Sequence, residues 1–126
     1  MNNIETEAQK WLEEKYKDMD LNAYQRIAAS TAVYPNQYKI LYPALGLAGE
    51  AGEVANKVKK LIRDGFDNAP KDWKEQITSE IGDVLWYCAA LATDLNVNLA
   101  QIASDNEAKL TRRREQGKLT GSGDNR

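Results

Sequence analysis

Apolar residues recur along this chain at three- and four-residue intervals, the spacing of one-sided helices and not the alternation of strands. Ile4, Ala8, Trp11, Leu12 and Tyr16 open the pattern as an amphipathic helix. Asp20 is placed to cap a second, shorter segment through Leu21, Tyr24, Ile27 and Ala28. A tyrosine-rich stretch from Tyr34 to Tyr42, with Pro35 inside it and Pro43 behind it, breaks the pattern and reads as a loop or turn. A long helix is then predicted from about Ala44 to Asp64, with Leu45, Ala48, Val54, Val58, Leu61 and Ile62 on its core face and Gly65 ending it. The next helix covers about Lys71 to Leu95, with Ile77, Ile81, Val84, Leu85, Cys88, Leu91 and Ala92 facing inward and Pro70 suited to its first turn. Asn98 caps a last helix carrying Leu99, Ile102, Ala103 and Leu110 to near Gln116. The end from Gly117 is polar and glycine-rich and is expected to be disordered. The pattern therefore predicts an all-α bundle: a helical extension over 1–19, a domain over 20–116 and a disordered tail over 117–126.

Two pairs of acids interrupt the apolar faces. Glu50-x-x-Glu53 and Glu80-x-x-Asp83 each put two carboxylates on one side of a helix. Four such groups brought together repel one another unless protons or cations intervene. Hard oxygen donors of this kind suit Mg²⁺, with Mn²⁺ as a substitute, and a phosphate ester is the natural anionic guest of such an ion. The competing reading is two solvated helix faces with ordinary charges.

Composition narrows the chemistry further. At 126 residues the chain is one domain by length, and its net charge of −2 argues against a nucleic-acid partner. There is no histidine, which removes serine–histidine and cysteine–histidine catalysis and most zinc sites. The one cysteine, Cys88, excludes an intrachain disulfide, fits a reducing compartment and reads as a small buried apolar residue. No leader and no stretch long enough to span a bilayer is visible, so a cytoplasmic location without a membrane partner is expected.

The segments Leu45-Gly-Leu-Ala-Gly-Glu-Ala-Gly-Glu53 and Glu80-Ile-Gly-Asp-Val-Leu-Trp-Tyr87 closely resemble the MazG-like nucleoside triphosphate pyrophosphohydrolases. That all-α superfamily carries E-x-x-E and, after a variable gap, E-x-x-D. Here 26 residues separate Glu53 from Glu80, a gap suited to two long antiparallel helices and a connector. Tyr24-Gln25 through Tyr34-Pro35 and Asn106-x-x-Lys109-Leu110-x-x-Arg113 add to the likeness, which covers about Leu21 to Arg113. The resemblance implies Mg²⁺-dependent hydrolysis of an NTP or dNTP to the monophosphate and pyrophosphate, in nucleotide-pool housekeeping. Glu50, Glu53, Glu80 and Asp83 would be the catalytic metal ligands. It also implies a homo-oligomer, with a tetramer favoured over a dimer. The alternatives are a phosphoribosyl-ATP pyrophosphohydrolase and a non-catalytic metal-binding or partner-binding helical module.

Several residues carry two readings each. Lys57 either meets a substrate phosphate or pairs with Glu53 one turn back; Lys60 reads as surface. Asn106, Lys109 and Arg113 form an i, i+3, i+7 stripe that the resemblance turns toward phosphates, against a solvated cationic helix end that includes Arg112 and Arg114. Tyr87, one turn after Asp83, can stack on a base or touch a sugar, and Tyr34, Tyr38 and Tyr42 can line a base pocket or merely pack. Gln25 is a further candidate for a base or phosphate contact. Trp86 points away from that face and reads as core or interface.

Overall fold

A computed structural model describes residues 3–125. Met1, Asn2 and Arg126, the outermost residues of the predicted extension and tail, lie outside the described residues, as does the side chain of Ile4. The described residues form five α-helices and no strand: α1 (Asn3–Tyr16), α2 (Leu21–Thr31), α3 (Leu41–Asp64), α4 (Trp73–Asp94) and α5 (Leu99–Glu115). Among them no helix is long and apolar enough to cross a membrane.

The caps follow the sequence. Asp20 Oδ1 accepts from the Ala23 amide at 2.7 Å, and Asn98 Oδ1 accepts from Ala100 at 3.3 Å. Each satisfies a donor that the helix itself leaves unpaired, worth about 1 kcal/mol. Gly65 takes φ 87° past the end of α3 and donates its amide to the Leu61 carbonyl at 2.9 Å. The one sizeable boundary error is at the start of α3, which begins at Leu41 and not near Ala44. Pro43 lies in the first turn, where a helix has no use for its missing N–H, and its ring is fully buried.

The core is made of small residues. Ala28 of α2, Ala89 and Ala92 of α4 and Leu99 of α5 pack together, with Tyr24, Trp86 and Cys88 against them. Short side chains let the three helices approach closely, and the Trp86 indole donates to Thr31 Oγ1 at 2.8 Å across the α2–α4 seam. Gln25 closes the same group from the other end. Its amide nitrogen donates to the Val97 carbonyl at 2.9 Å and its oxygen accepts from the Leu99 amide at 2.8 Å.

Much of the predicted core face stays exposed. Leu61 is buried, but Ile62 is 72 % exposed, Leu45 66 % and Ile81 51 %. Periodicity identified these stripes correctly as apolar; five helices of one chain are too few to cover both flanks of α3 and α4. Helix α1 is bare as well, with Trp11, Leu12 and Tyr16 about half exposed or more. The tail lies against α5. Arg113 is buried, and its guanidinium draws residues 117–125 back by donating to the Gly123 and Asp124 carbonyls.

Between α2 and α3 the tyrosine loop is clasped by one carboxylate. Asp94 Oδ2, at the end of α4, accepts from the Tyr34 hydroxyl at 2.7 Å and from the Ile40 amide at 2.9 Å. Ile40 has φ 70° and ψ −55°, and the Leu41 amide donates to the Lys39 carbonyl at 2.8 Å. That is a classic γ-turn on a β-branched residue, a conformation costing about 1–3 kcal/mol. The Tyr34 phenol is pushed up to about 12, by burial first and by its bond to Asp94 second.

Gly46 of α3 lies where α4 comes closest. A methyl group there would sit 2.1 Å from the Tyr87 ring, whereas Gly49 and Gly52 face open space. Gly46→Ala should therefore lower stability by about 1–3 kcal/mol through displacement of that ring. Gly49→Ala and Gly52→Ala should each add up to about 1 kcal/mol through helix propensity alone. Urea melts of the three variants check the contrast.

Candidate active site

Helices α3 and α4 build the site along their shared seam. Gly46 meets Tyr87, Lys57 meets Glu80, and Phe66 meets Trp73 edge-on at 5.7 Å, so residue numbers fall along α4 as they rise along α3. Near the middle of this seam, Glu50 from α3 faces Glu80 and Asp83 from α4. One oxygen from each lies within 4.8 Å of the others. Oxygens on opposite sides of an octahedral Mg²⁺ are about 4.2 Å apart, so side-chain adjustments of under about 1 Å would bring all three onto one ion. Donor type and spacing both fit a hard divalent cation. Glu53 lies outside that trio, although its charge reaches Glu50.

Electrostatics register the crowding. Glu50 holds its proton above the usual carboxylate range, chiefly because it shares a hydrogen bond with Glu80, then through burial and the charges of Asp83, Glu80 and Glu53. Lys57 offers partial compensation. Its Nζ stands 3.4 Å from Glu80 Oε1, across the seam. The intrahelical pair with Glu53 considered from the sequence gives way to this interhelical one, which puts the ammonium beside the acidic trio.

Two cavities flank the trio. On the Lys57 side, about 180 Å³ is lined by Lys57, Lys60, Asp64, Trp73 and Gln76 and by residues of the connector between α3 and α4. Lys60, read as plain surface from the sequence, joins Lys57 on this wall. On the other side, about 400 Å³ is bounded by Tyr34, Pro35, Tyr42, Trp86 and Tyr87. Tyr34 and Tyr42 stack at 4.7 Å, Tyr42 stands 6.3 Å from Tyr87, and Tyr87 meets Trp86 edge-on at 5.0 Å. Burial, Tyr42 and then the charges of Glu50 and Asp83 raise the Tyr87 phenol. Tyr87 thus joins the aromatic wall to the acids, as its position one turn from Asp83 suggested.

Other predicted residues fare differently. Gln25 is engaged within the fold, where its amide fastens the α4–α5 turn through Val97 and Leu99. Lys109 and Arg113 are turned to the tail, where Lys109 Nζ lies 3.3 Å and Arg113 Nη2 3.4 Å from Asp124 Oδ1. Asn106 lines a surface hollow with Glu107, Leu110 and Arg114. Sequence reasoning missed Asp94 altogether. A signal existed: Asp94 follows Asp83 by three helical turns, so Asp83, Tyr87 and Asp94 lie in one stripe of α4.

Known proteins place this geometry. The MazG nucleotide pyrophosphohydrolase domain matches residues 41–117, which hold all four acids. The chain is also similar to the Gene 37 protein of Mycobacterium phage L5, 41 % identical over 114 residues that cover 86 % of this chain and 100 % of that protein. No solved structure matches significantly. With helices alone in the fold and the acidic residues of both signature helices facing one another, the chain belongs to the MazG nucleotide pyrophosphohydrolase family.

Proposed function

We propose that this protein hydrolyses nucleoside triphosphates, NTP or dNTP, to the monophosphate and pyrophosphate with Mg²⁺ as cofactor. The observation that carries the reading is the convergence of Glu50, Glu80 and Asp83 from two helices onto a space sized for one hard cation. Glu53, one turn from Glu50, completes the ligand set after a rotation of its side chain. A bound divalent ion supplies charge neutralisation on the phosphates and a more acidic water.

The chain's own residues then give the substrate a direction. Lys57 and Lys60 line one flank, where their ammonium groups attract the departing phosphates. Tyr87 and the tyrosines beyond it line the other, where a flat base stacks. Lys109 and Arg113 hold an anionic oxygen of Asp124 here, and to serve with Asn106 as phosphate contacts they would exchange that tail carboxylate for the substrate.

Assembly belongs to the same proposal. The chain exposes 9600 Å², whereas a compact monomer of its mass exposes about 6,700 Å². The excess exceeds what a standard protein interface covers, about 1,200–2,000 Å². Apolar residues of α1, α3 and α4 are among those left exposed, and a second copy of the chain is the occupant we assign to them. Light scattering should give a mass that is a multiple of 14.1 kDa. A monomer at micromolar concentration would remove this part of the proposal.

Turnover of a panel of NTPs and dNTPs, with products separated by ion exchange, tests the reaction. Monophosphate and pyrophosphate should form with Mg²⁺ and cease with EDTA. Glu80→Gln and Asp83→Asn should each lower kcat by about a hundredfold or more. Diphosphate plus orthophosphate as products would refute the reading.

Metal binding should also show in stability. A carboxyl raised by folding contributes stability below its unfolded pKa, and loses it as pH rises through the folded value. The metal-free protein thus pays at neutral pH for Glu50 beside Glu80, a cost that a cation relieves. The Mg²⁺-induced rise in Tm should accordingly be larger at pH 8 than at pH 5, as measured by differential scanning calorimetry.

A further inference from the structure

From the clasp at the end of α4, we infer that Asp94 is a positioning residue for the nucleoside: it holds the tyrosine wall beside the acidic site in register for stacking on a base. The inference rests on the pyrophosphohydrolase reading for what the wall contacts, and on geometry alone for what holds it.

One oxygen, Asp94 Oδ2, takes both the Tyr34 hydroxyl at 2.7 Å and the Ile40 amide at 2.9 Å. These two donors stand near opposite ends of the loop, so a single carboxylate fixes its span. The Tyr34 ring is thereby laid on Tyr42, with 19° between their planes and 4.7 Å between centroids. Tyr42 in turn stands 6.3 Å from Tyr87, which packs against Gly46 only one turn from Glu50. Contact passes from Asp94 to Tyr34, to Tyr42 and to Tyr87, whose phenol feels the charges of Glu50 and Asp83.

Strain gives an independent sign that the clasp does more than fasten a loop. Ile40 is held in a γ-turn that branched side chains avoid, at φ 70°. An unclasped loop would relax, because the one Leu41–Lys39 bond of the turn offsets only part of that strain. Strained backbone held in place by its surroundings tends to occur where geometry is used. Here the residue after the turn begins α3 and Tyr42 follows at once, so relaxation at Ile40 would move Tyr42 first. The open side of the wall, between Tyr34, Tyr42 and Tyr87, is aromatic and faces a cavity of about 400 Å³. Its chemistry suits a flat heterocycle and offers nothing specific to phosphate.

The test compares the full-length protein with Asp94→Asn and Tyr34→Phe. Substrates are the fastest nucleoside triphosphate and the corresponding ribose 5′-triphosphate that lacks a base. Asp94→Asn should raise KM for the nucleotide by about tenfold with kcat within about twofold, and the effect should vanish on the abasic compound. Tyr34→Phe, which removes one of the two bonds and keeps the ring, should raise KM by about threefold; it carries the test alone if Asp94→Asn fails to fold. An unchanged KM in the folded variants would overturn the assignment. So would a fall in kcat of equal size on both substrates, since that places the effect at the acids and not at the base.

A wild-type protein that turns over no nucleotide would instead sink the pyrophosphohydrolase reading. Calorimetric binding of an α,β-methylene nucleoside triphosphate with Mg²⁺ then decides the Asp94 question separately. Tenfold weaker binding by Asp94→Asn supports it, and equal binding or none by the wild type overturns it.

Discussion

The packing of α3 on α4 is the constraint on which the rest depends, because it brings like charges together. Three carboxylates within reach of one oxygen-seeking ion are a cost to the isolated fold, and the molecule answers in two ways visible in the structure. The Glu50 carboxyl is raised by its hydrogen bond to Glu80 and by the charges around it, and Lys57 leans across the seam toward Glu80. Neither answer fully balances the group. A divalent cation is the stronger compensation, and the fold that gathers the acids is thereby prepared to bind one. Position along the seam then sorts the surroundings, with lysines on one flank and tyrosines on the other.

The alanine-lined core serves that seam. Ala28, Ala89 and Ala92 allow α2 and α4 to approach until Trp86 reaches Thr31, and Leu99 brings α5 into the same group. Helix α4 therefore has one side fixed by small residues and another presented to α3. Large apolar residues are left over outside this arrangement, on α1 and on the outer flanks of α3 and α4. The second copy proposed above is what would cover them.

The helices and the acidic site were legible in the sequence because both rest on local spacing. Caps at Asp20 and Asn98, the stop at Gly65 and the i, i+3 acids follow rules that look no further than one turn or two. What sequence reasoning could not reach depends on meetings between distant residues. Gln25 resembled a ligand-binding amide, yet it completes hydrogen bonds with residues some seventy positions later. Arg113 offered either a phosphate contact or part of a solvated basic end, and only the fold shows that it is buried and bonded to the Asp124 carbonyl. Leu45 and Ile62 had the right period for a core face, but period reports which face is apolar and says nothing about what covers it. Asp94 shared a stripe with Asp83, and only the fold shows which loop it reaches.

The bonds from Gln25 to the α4–α5 turn have a consequence for how such proteins vary. They fasten the two ends of a long excursion that contains α3, the connector after it and all of α4. Insertions into a loop whose ends are already secured are inexpensive: each doubling of loop length costs only about 0.6 kcal/mol. The connector between Asp64 and Trp73 lies inside this fastened excursion and remote from the Ala28–Leu99 core. Its length can therefore change while the acids stay in register, and such a change would reshape the cavity beside Lys57 and Lys60, which the connector helps to line.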